Sequence, residues 1–287
     1  MAGSGLKRVL RDVAHRLALT PLVVPCYYTL EVYHALRIAC LIKPHLLQDD
    51  VCNVEQNVTF IFKSFNRQRK ARHAFNSIRS YYPSARIIIA DDSKVPLEID
   101  GAEIVRLPFN SGVSKGIIAA LEHVQTPYVM RLEDDAVLTP YSDIHGQLAF
   151  LQSNPEVDLC AIQAVTNPEA GAARYRSFLP PRPLIIPAGT WIDGHEVVFK
   201  GSNWFVARTE SLRKVGYDPN IRMIDHHEFY WRAAGQIVCV QDSHAYAYHC
   251  KNPFDWRYRP YRDDYKGDLE YIRAKQMAKA ACRVCNN

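Results

Sequence analysis

Three consecutive carboxylates, Glu133-Asp134-Asp135, close the apolar run Tyr128-Val129-Met130-Arg131-Leu132 and are followed at once by Ala136-Val137-Leu138. If Val129 to Leu132 forms a buried strand, the alternation of side chains delivers Glu133 and Asp135 to the same side of the backbone. Carboxylates that close repel and raise one another's pKa unless a cation lies between them. Mg²⁺ or Mn²⁺ carrying a substrate's phosphates would supply that cation; a solvated acidic turn accounts for the same residues without chemistry. A second concentration of titratable groups is Asp225-His226-His227-Glu228, which opens a helix expected to end near Gly235. A helix amino terminus facing a cleft holds an ionised base well, yet Asp225 and Glu228 also have the spacing of a capping box. Further on, His244 and His249 flank Ala245-Tyr246-Ala247-Tyr248. An alternating strand places these imidazoles on opposite faces, so one reaches a metal while the other packs.

The elements that must position these groups lie mostly upstream. Asn57 to Lys63 and Ala85 to Ser93 are short β-branched or aromatic runs, the second ending in Asp91-Asp92. Between them, Ala71, Ala74, Phe75, Ile78 and Tyr81 fall at helical spacing within Gln68 to Tyr82. Glu103 to Leu107 reads as a third strand, Ser114 to His123 as a helix with Ile117, Ile118 and Leu121 on its apolar face, and the acidic segment follows the fourth strand. Strands alternating with helices predict an α/β fold, a mostly parallel sheet with helices on both faces. Such sheets bind ligands beyond the carboxyl ends of their strands, where Asp91, Asp92 and the Glu133 to Asp135 run would emerge. Phe199 to Arg208 predicts a strand running into a short helix that stops at Gly216, and Ile237 to Val240 another strand. Pro180, Pro181, Pro183 and Pro187 predict an irregular segment over Thr166 to Gly194.

At 287 residues, 48% hydrophobic and 23% charged, the chain can bury one substantial core. We divide it into a helical amino-terminal extension over 1–52, a central domain over 53–252 and a carboxy-terminal tail over 253–287 containing a helix. A formal charge of +5 suits an anionic ligand or a membrane face, without the dense Lys/Arg stripe of a nucleic-acid binder. Lys63, Arg67, Arg69, Lys70 and Arg72 form the one basic cluster. Leu17 to Leu47 is apolar and aromatic, but Glu31, His34, Arg37 and Lys43 interrupt it and Pro21 and Pro25 break it, so no spanning helix fits. Lys7, Arg8, Arg11 and Arg16 precede it. The stretch is either a basic membrane-surface segment or a helix packed on the domain. No signal peptide is evident, and the expected location is the cytoplasm or the inner face of a membrane. Eight scattered cysteines show no disulfide framework, and Cys282 with Cys285 offers half of a zinc-site spacing. The sequon Asn57-Val58-Thr59 opens a strand.

Taken in order, Thr59 to Asp92, Leu107 to Gly116, the Glu-Asp-Asp run, Asn203 to Arg208, Val215 to Asp218 and Asp225 to Phe229 resemble inverting glycosyltransferases of the Rossmann-like GT-A fold. The pattern is similar to the ganglioside β-1,4-N-acetylgalactosaminyltransferase family and its bacterial family 2 type relatives, over about residues 57 to 252. The resemblance implies that Asp91 or Asp92 holds the nucleobase or ribose of a nucleotide-sugar donor, a UDP-sugar. It places Phe62, Ser64, Asn66, Arg67, Lys115, Gly116, Glu133 and Asp134 along that donor. Asp135 becomes the direct ligand of Mn²⁺ or Mg²⁺, Glu133 a longer-armed and indirect one, and His249 completes the shell. Glu228 falls where the family places its base, with Asp225 in reserve, and Asn203 and Trp204 face a glycan, glycolipid or polysaccharide acceptor. Ile117-Ile118 replaces the usual Arg-Asn pair after the glycine of the donor loop.

The chemistry this implies follows from charge. A diphosphate leaving group needs its growing charge neutralised, and a carboxylate opposite it takes the proton of the attacking hydroxyl in a single displacement. Trp204, Trp231 and Trp256 offer faces for sugar rings or simply fill the core, and Trp256 to Arg262 is a flap, a membrane-facing patch or a connector. Three other classes share these residues. A zinc hydrolase would use Asp134, Asp135, His226, His227 and His249. A nucleotidyltransferase would need glycines that Lys63-Ser64-Phe65-Asn66-Arg67 lacks, and a binding module would keep the fold without turnover.

Overall fold

The computed structural model describes residues 20–41, 48–166, 175–262 and 265–284. Helix α1 (Val23–Leu41) and helix α2 (Gln48–Asn57) precede strand β1 (Val58–Ser64), which is buried along almost its whole length. Alternation along β1 sends Phe60 and Phe62 to one face of the sheet and Ile61 to the other, where separate cores wait for them. Phe60 and Phe62 meet helix α3 (Gln68–Tyr81), whose Ala71, Ala74, Phe75 and Ile78 make the buried stripe. This helix stops at Tyr82, whose N–H closes onto the Ile78 carbonyl just ahead of Pro83.

Strands β2 (Arg86–Asp91) and β3 (Glu103–Arg106) extend the sheet in parallel, and helix α4 (Val113–Glu122) covers Ile61 and Ile88 on the second face. Gly112 caps α4 at φ +97°, a conformation that costs a side chain dearly. Strand β4 (Tyr128–Arg131) pairs in parallel with β1 and is followed by the two-residue strand β5 (Ala136–Val137) and helix α5 (Ile144–Ser153). Beyond β6 (Leu159–Val165) comes a hairpin, β7 (Trp191–Ile192) and β8 (His195–Val197), then β9 (Phe205–Arg208), α6 (Thr209–Val215), α7 (Asp225–Ala233), β10 (Cys239–His249), α8 (Arg259–Arg262) and α9 (Lys266–Val284).

The sheet runs β3-β2-β1-β4-β9-β6-β10-β8-β7, with β5 paired to β10. Its amino-terminal half is parallel, as expected for α/β alternation; β9 enters antiparallel between β4 and β6, and the hairpin adds an antiparallel edge. Three expectations need correction. The strand expected over Phe199 to Arg208 starts only at Phe205, and the irregular segment expected to continue to Gly194 already turns into the hairpin at Trp191, through Asp193 and Gly194 at positive φ. The strands expected near Ile237 and His249 are one long strand, bulged between Gln241 and Tyr246.

Neither of the divisions drawn at 52/53 and 252/253 coincides with a gap in the structure. Helix α2 crosses the first, and Asn252 Nδ2 donates to Glu31 of α1 at 2.8 Å while Tyr27 packs edge-on against Trp256. Among the described residues, no helix is long and apolar enough to cross a membrane. The six cysteines with described side chains are free thiols, whereas the Cys282 and Cys285 side chains lie outside the described set.

Candidate active site

The carboxyl ends of β1 and β4, the amino terminus of α7 and the end of β10 surround a cavity of about 490 Å³. Its floor is built by strand pairing. Past its bulge β10 still pairs with β6 through Tyr246 to Tyr248, while its other edge pairs with β5 and sets His249 opposite Ala136, and the Cys250 N–H donates to the Asp135 carbonyl at 2.8 Å. One ligand atom each from Glu133, Asp135 and His249 thereby lies within 4.8 Å of the others. His249 Nε2 is 3.5 Å from Asp135 Oδ2, and Asn203 Nδ2 donates to Glu133 Oε1 at 3.1 Å. Asp135 Oδ1 is buried without a hydrogen-bond partner, an arrangement that costs free energy unless something occupies its lone pairs. Two carboxylates and an imidazole suit Mn²⁺ or Mg²⁺, so the residues fit the ion expected from the sequence. His226 and His227 are not part of this group, which leaves the five-residue zinc set divided.

Arg67 lies across the next two acids. Its guanidinium bridges both oxygens of Asp134 and donates from Nη1 to Asp135 Oδ2 at 3.1 Å, with the Tyr258 ring 4.1 Å from its centre. Burial raises the Asp134 carboxyl, and Asp135 adds to the effect. Burial pushes Asp135 the same way, but Arg67 and then His249 outweigh it and hold Asp135 well below the usual range.

The donor-side assignments divide in the structure. Arg67, Glu133 and Asp134 line the cavity. Phe62 is wholly buried in the core, and Asn66, at φ +53°, turns its loop by donating its N–H to Ser93 Oγ and accepting from the Lys94 N–H. Ser64 is also buried outside the lining, and Lys115 is exposed away from it. Asp91 is saturated by its own chain, accepting from Arg106, Ser93 and the Leu97 N–H. Asp92 accepts from the Gly112 N–H at 3.0 Å and pairs with Lys63 at 2.7 Å. Neither acid reaches the cavity, because the chain's own cations and amides claim both. Gly116 makes the Lys63 contact available: a Cβ there would sit 2.5 Å from Lys63 Cγ.

On the opposite wall, Arg131 Nη2 donates to Asp225 Oδ2 at 2.6 Å, and Asp225 lines the cavity. Burial alone would raise the Asp225 carboxyl; Arg131, then His226, outweigh it and keep it below its ordinary value. Glu228 faces elsewhere. It accepts from Arg232 at 2.7 Å and from Lys275 of α9 at 2.6 Å, and it does not line the cavity. No capping box forms either: Ile224 is the N-cap, and the free N–H groups of Arg222, Met223 and Ile224 are taken by Asp268 of α9. His226 borders the cavity, while His227 packs on Phe178 and is driven down to about 3 by burial, then by His226 and Lys200.

Asn203 and Trp204 both touch the cavity, but Trp204 is fully buried and sets its ring edge against His249, with centroids 5.3 Å apart. Trp231 packs under Arg182, and Trp256 against Tyr27. Arg131, Lys200 and Tyr175, which the sequence did not single out, are also at the cavity, as is Tyr258 from the stretch read as a flap, a membrane-facing patch or a connector. For Arg131 and Lys200 the signal was present, since Arg131 is a lone cation inside an apolar run and Lys200 closes one. Burial lowers Lys200 to about 8 despite Asp225 and Glu133 nearby.

A parallel half-sheet with acids after its fourth strand, completed by a histidine from a late antiparallel partner, defines a GT-A type α/β protein. The chain belongs to glycosyl transferase family 2, whose family model matches residues 59–216, from β1 to the end of α6. It is 32% identical over 200 residues to human β-1,4 N-acetylgalactosaminyltransferase 1, covering 64% of this chain and 37% of that one. It is 32% identical over 188 residues to mouse β-1,4 N-acetylgalactosaminyltransferase 2, covering 63% and 37%. The chain thus spans little more than a third of the length of these relatives. Among solved structures, S. aureus TarS 1-349 superposes with a TM-score of 0.51 at 15% identity, over 67% of this chain and 60% of that one. Its complex with UDP-GlcNAc gives 0.51 at 14%, over 68% and 59%. These likenesses are of fold.

Proposed function

We propose that the protein is a metal-dependent inverting glycosyltransferase that moves a sugar from a UDP-sugar to a hydroxyl of a glycan, glycolipid or polysaccharide. The observation that carries this reading is that Asp225, Glu133 and His249 line one cavity, with Asp135 grouped behind Glu133 and His249. The names of the sequence relatives and the UDP-GlcNAc complex of TarS support the donor class. Asp135, Glu133 and His249 would hold Mn²⁺ or Mg²⁺. When bound, such an ion supplies positive charge against the departing diphosphate.

In this reading Asp225 is the base, in place of the Glu228 expected from the family pattern, because an acceptor must reach the base and Glu228 is outside the cavity. Arg131 keeps Asp225 ionised and aims one oxygen. As the acceptor oxygen bonds to the anomeric carbon, its proton passes to Asp225 and the bond from that carbon to the diphosphate oxygen breaks, inverting the centre. Lys200 has no carboxylate within ion-pair distance among the described residues, so its charge is available to an anionic ligand. Asn203 orients Glu133, and Trp204 braces His249.

The test is to incubate the protein with Mn²⁺, a panel of UDP-sugars and oligosaccharide acceptors, following UDP release and the anomeric configuration of the product by NMR. Acceptor-dependent release from one donor with inversion is expected. Nucleotide-independent hydrolysis, or a product that retains configuration, would overturn the proposal.

A further inference from the structure

Helix α1 is amphipathic in reverse. Its one carboxylate, Glu31, and its imidazole, His34, are buried, whereas Val32 and Leu36 are 56% and 64% exposed and Tyr28 and Tyr33 stand beside them, each 47% exposed. The helix is docked by polar contacts and by Ile38, which clusters with Val137, Tyr248 and Cys250. Glu31 lies 3.4 Å from Lys70 Nζ and accepts from Asn252, while His34 pairs with the Tyr248 hydroxyl at 2.8 Å and the Lys251 carbonyl at 3.1 Å. What faces outward is an apolar stripe with three- and four-residue spacing and no acid.

We propose that this stripe lies in the interfacial zone of an anionic phospholipid bilayer. Aliphatic side chains flanked by tyrosines match the depth of that zone, where a ring is apolar on one side and wet on the other. The preceding sequence has complementary charge: residues 1–19 carry Lys7, Arg8, Arg11 and Arg16 against the single acid Asp12, with Leu6, Val9, Leu10, Val13 and Leu17 at helical spacing. The buried Glu31 and His34 tie α1 to the domain, so it lies on the membrane and does not cross it. The docked face also contacts residues 248–256, the stretch that begins beside His249, so the helix holds the cavity's own wall close to the lipid.

The full-length protein would be sedimented with extruded vesicles of phosphatidylcholine alone and of phosphatidylcholine mixed with phosphatidylserine, beside the variant Val32→Glu/Leu36→Glu. Both positions are exposed, so the variant should melt like the parent. The parent is expected to pellet with the mixed vesicles more than with phosphatidylcholine alone, and the variant to lose roughly tenfold in partitioning. Three results would overturn the proposal: no pelleting of the parent, as a segment 1–19 folded over the stripe would cause; equal pelleting of the variant; or, without vesicle binding, a parent dimer in ultracentrifugation that the variant loses, which would assign the face to a second copy.

Discussion

Arg131 and Asp225 form an ion pair at 2.6 Å in which neither side chain is more than 2% exposed. Taking two charges out of water is costly, and only good geometry with further hydrogen bonds offsets it. Arg131 also donates to the Asn203 carbonyl at 3.2 Å. The pair holds an ionised carboxylate at the cavity wall, whereas Glu228, three residues along the same helix, serves Arg232 and Lys275.

That contrast yields the first prediction. Asp225→Asn should lower the transfer rate at least about 10²-fold while a donor titration shows unchanged affinity. Glu228→Gln should keep turnover within a few fold and lose about 3 kcal/mol of stability in urea melts, since it strands two cations. The opposite pattern would return the base to Glu228.

Metal dependence can be read both from turnover and from binding. Chelation should abolish activity and added Mn²⁺ restore it, while Asp135→Asn should lose Mn²⁺ binding in calorimetry with UDP present. Asn203→Ala, which removes the N–H that orients Glu133, should weaken Mn²⁺ about 10- to 100-fold, as removal of an outer hydrogen-bond partner does. Unchanged Mn²⁺ affinity in both variants would sink the assignment.

Lys200 makes a pH prediction. Burial lowers its ammonium from 10.5 to about 8, so the unfolded chain binds the proton more tightly than the folded one. Folding carries the full penalty below about pH 8, and stability attributable to this residue should rise between about pH 8 and 10.5. The gain is at most about 3 kcal/mol, read as the difference between the parent and Lys200→Met. Over the same interval the parent's donor KM should rise as the charge is lost. A parallel pH profile in Lys200→Met would refute the assignment.

Gly116→Ala should destabilise the protein by about 1–3 kcal/mol, the usual cost of overpacking, by pushing Lys63 off Asp92. The same change in a Lys63→Ala background should cost much less, because the closest atom, Lys63 Cγ, is gone and only the Cβ at 3.3 Å remains. A double-mutant cycle without coupling would show that Gly116 is needed for another reason.

The parts of this protein that are local in character could be read without coordinates. Helix α3 and strands β1, β2 and β4 fall within a residue or two of their expected bounds, because periods of two and 3.6 are written into short stretches. The Glu133 to Asp135 run announced itself because charge at the end of an apolar strand is a local anomaly. The donor assignments given to Phe62, Ser64, Asp91 and Asp92 did not carry through, since burial and partners such as Arg106 and Gly112 come from other elements.

Asp225 and Glu228 occupy one helical turn with the same chemistry, so sequence alone leaves open which faces the cavity. Arg131, 94 residues earlier, and Lys275, 47 residues later, separate their roles. His249 reaches Asp135 because the end of β10 pairs antiparallel with β5, which sets it opposite Ala136. The amino-acid order alone determined the helices and strands of the amino-terminal half, the acids and the family pattern. Tertiary structure decided which acid meets which cation, because pairing across the sheet depends on register and twist summed over distant strands, which no short window of sequence contains.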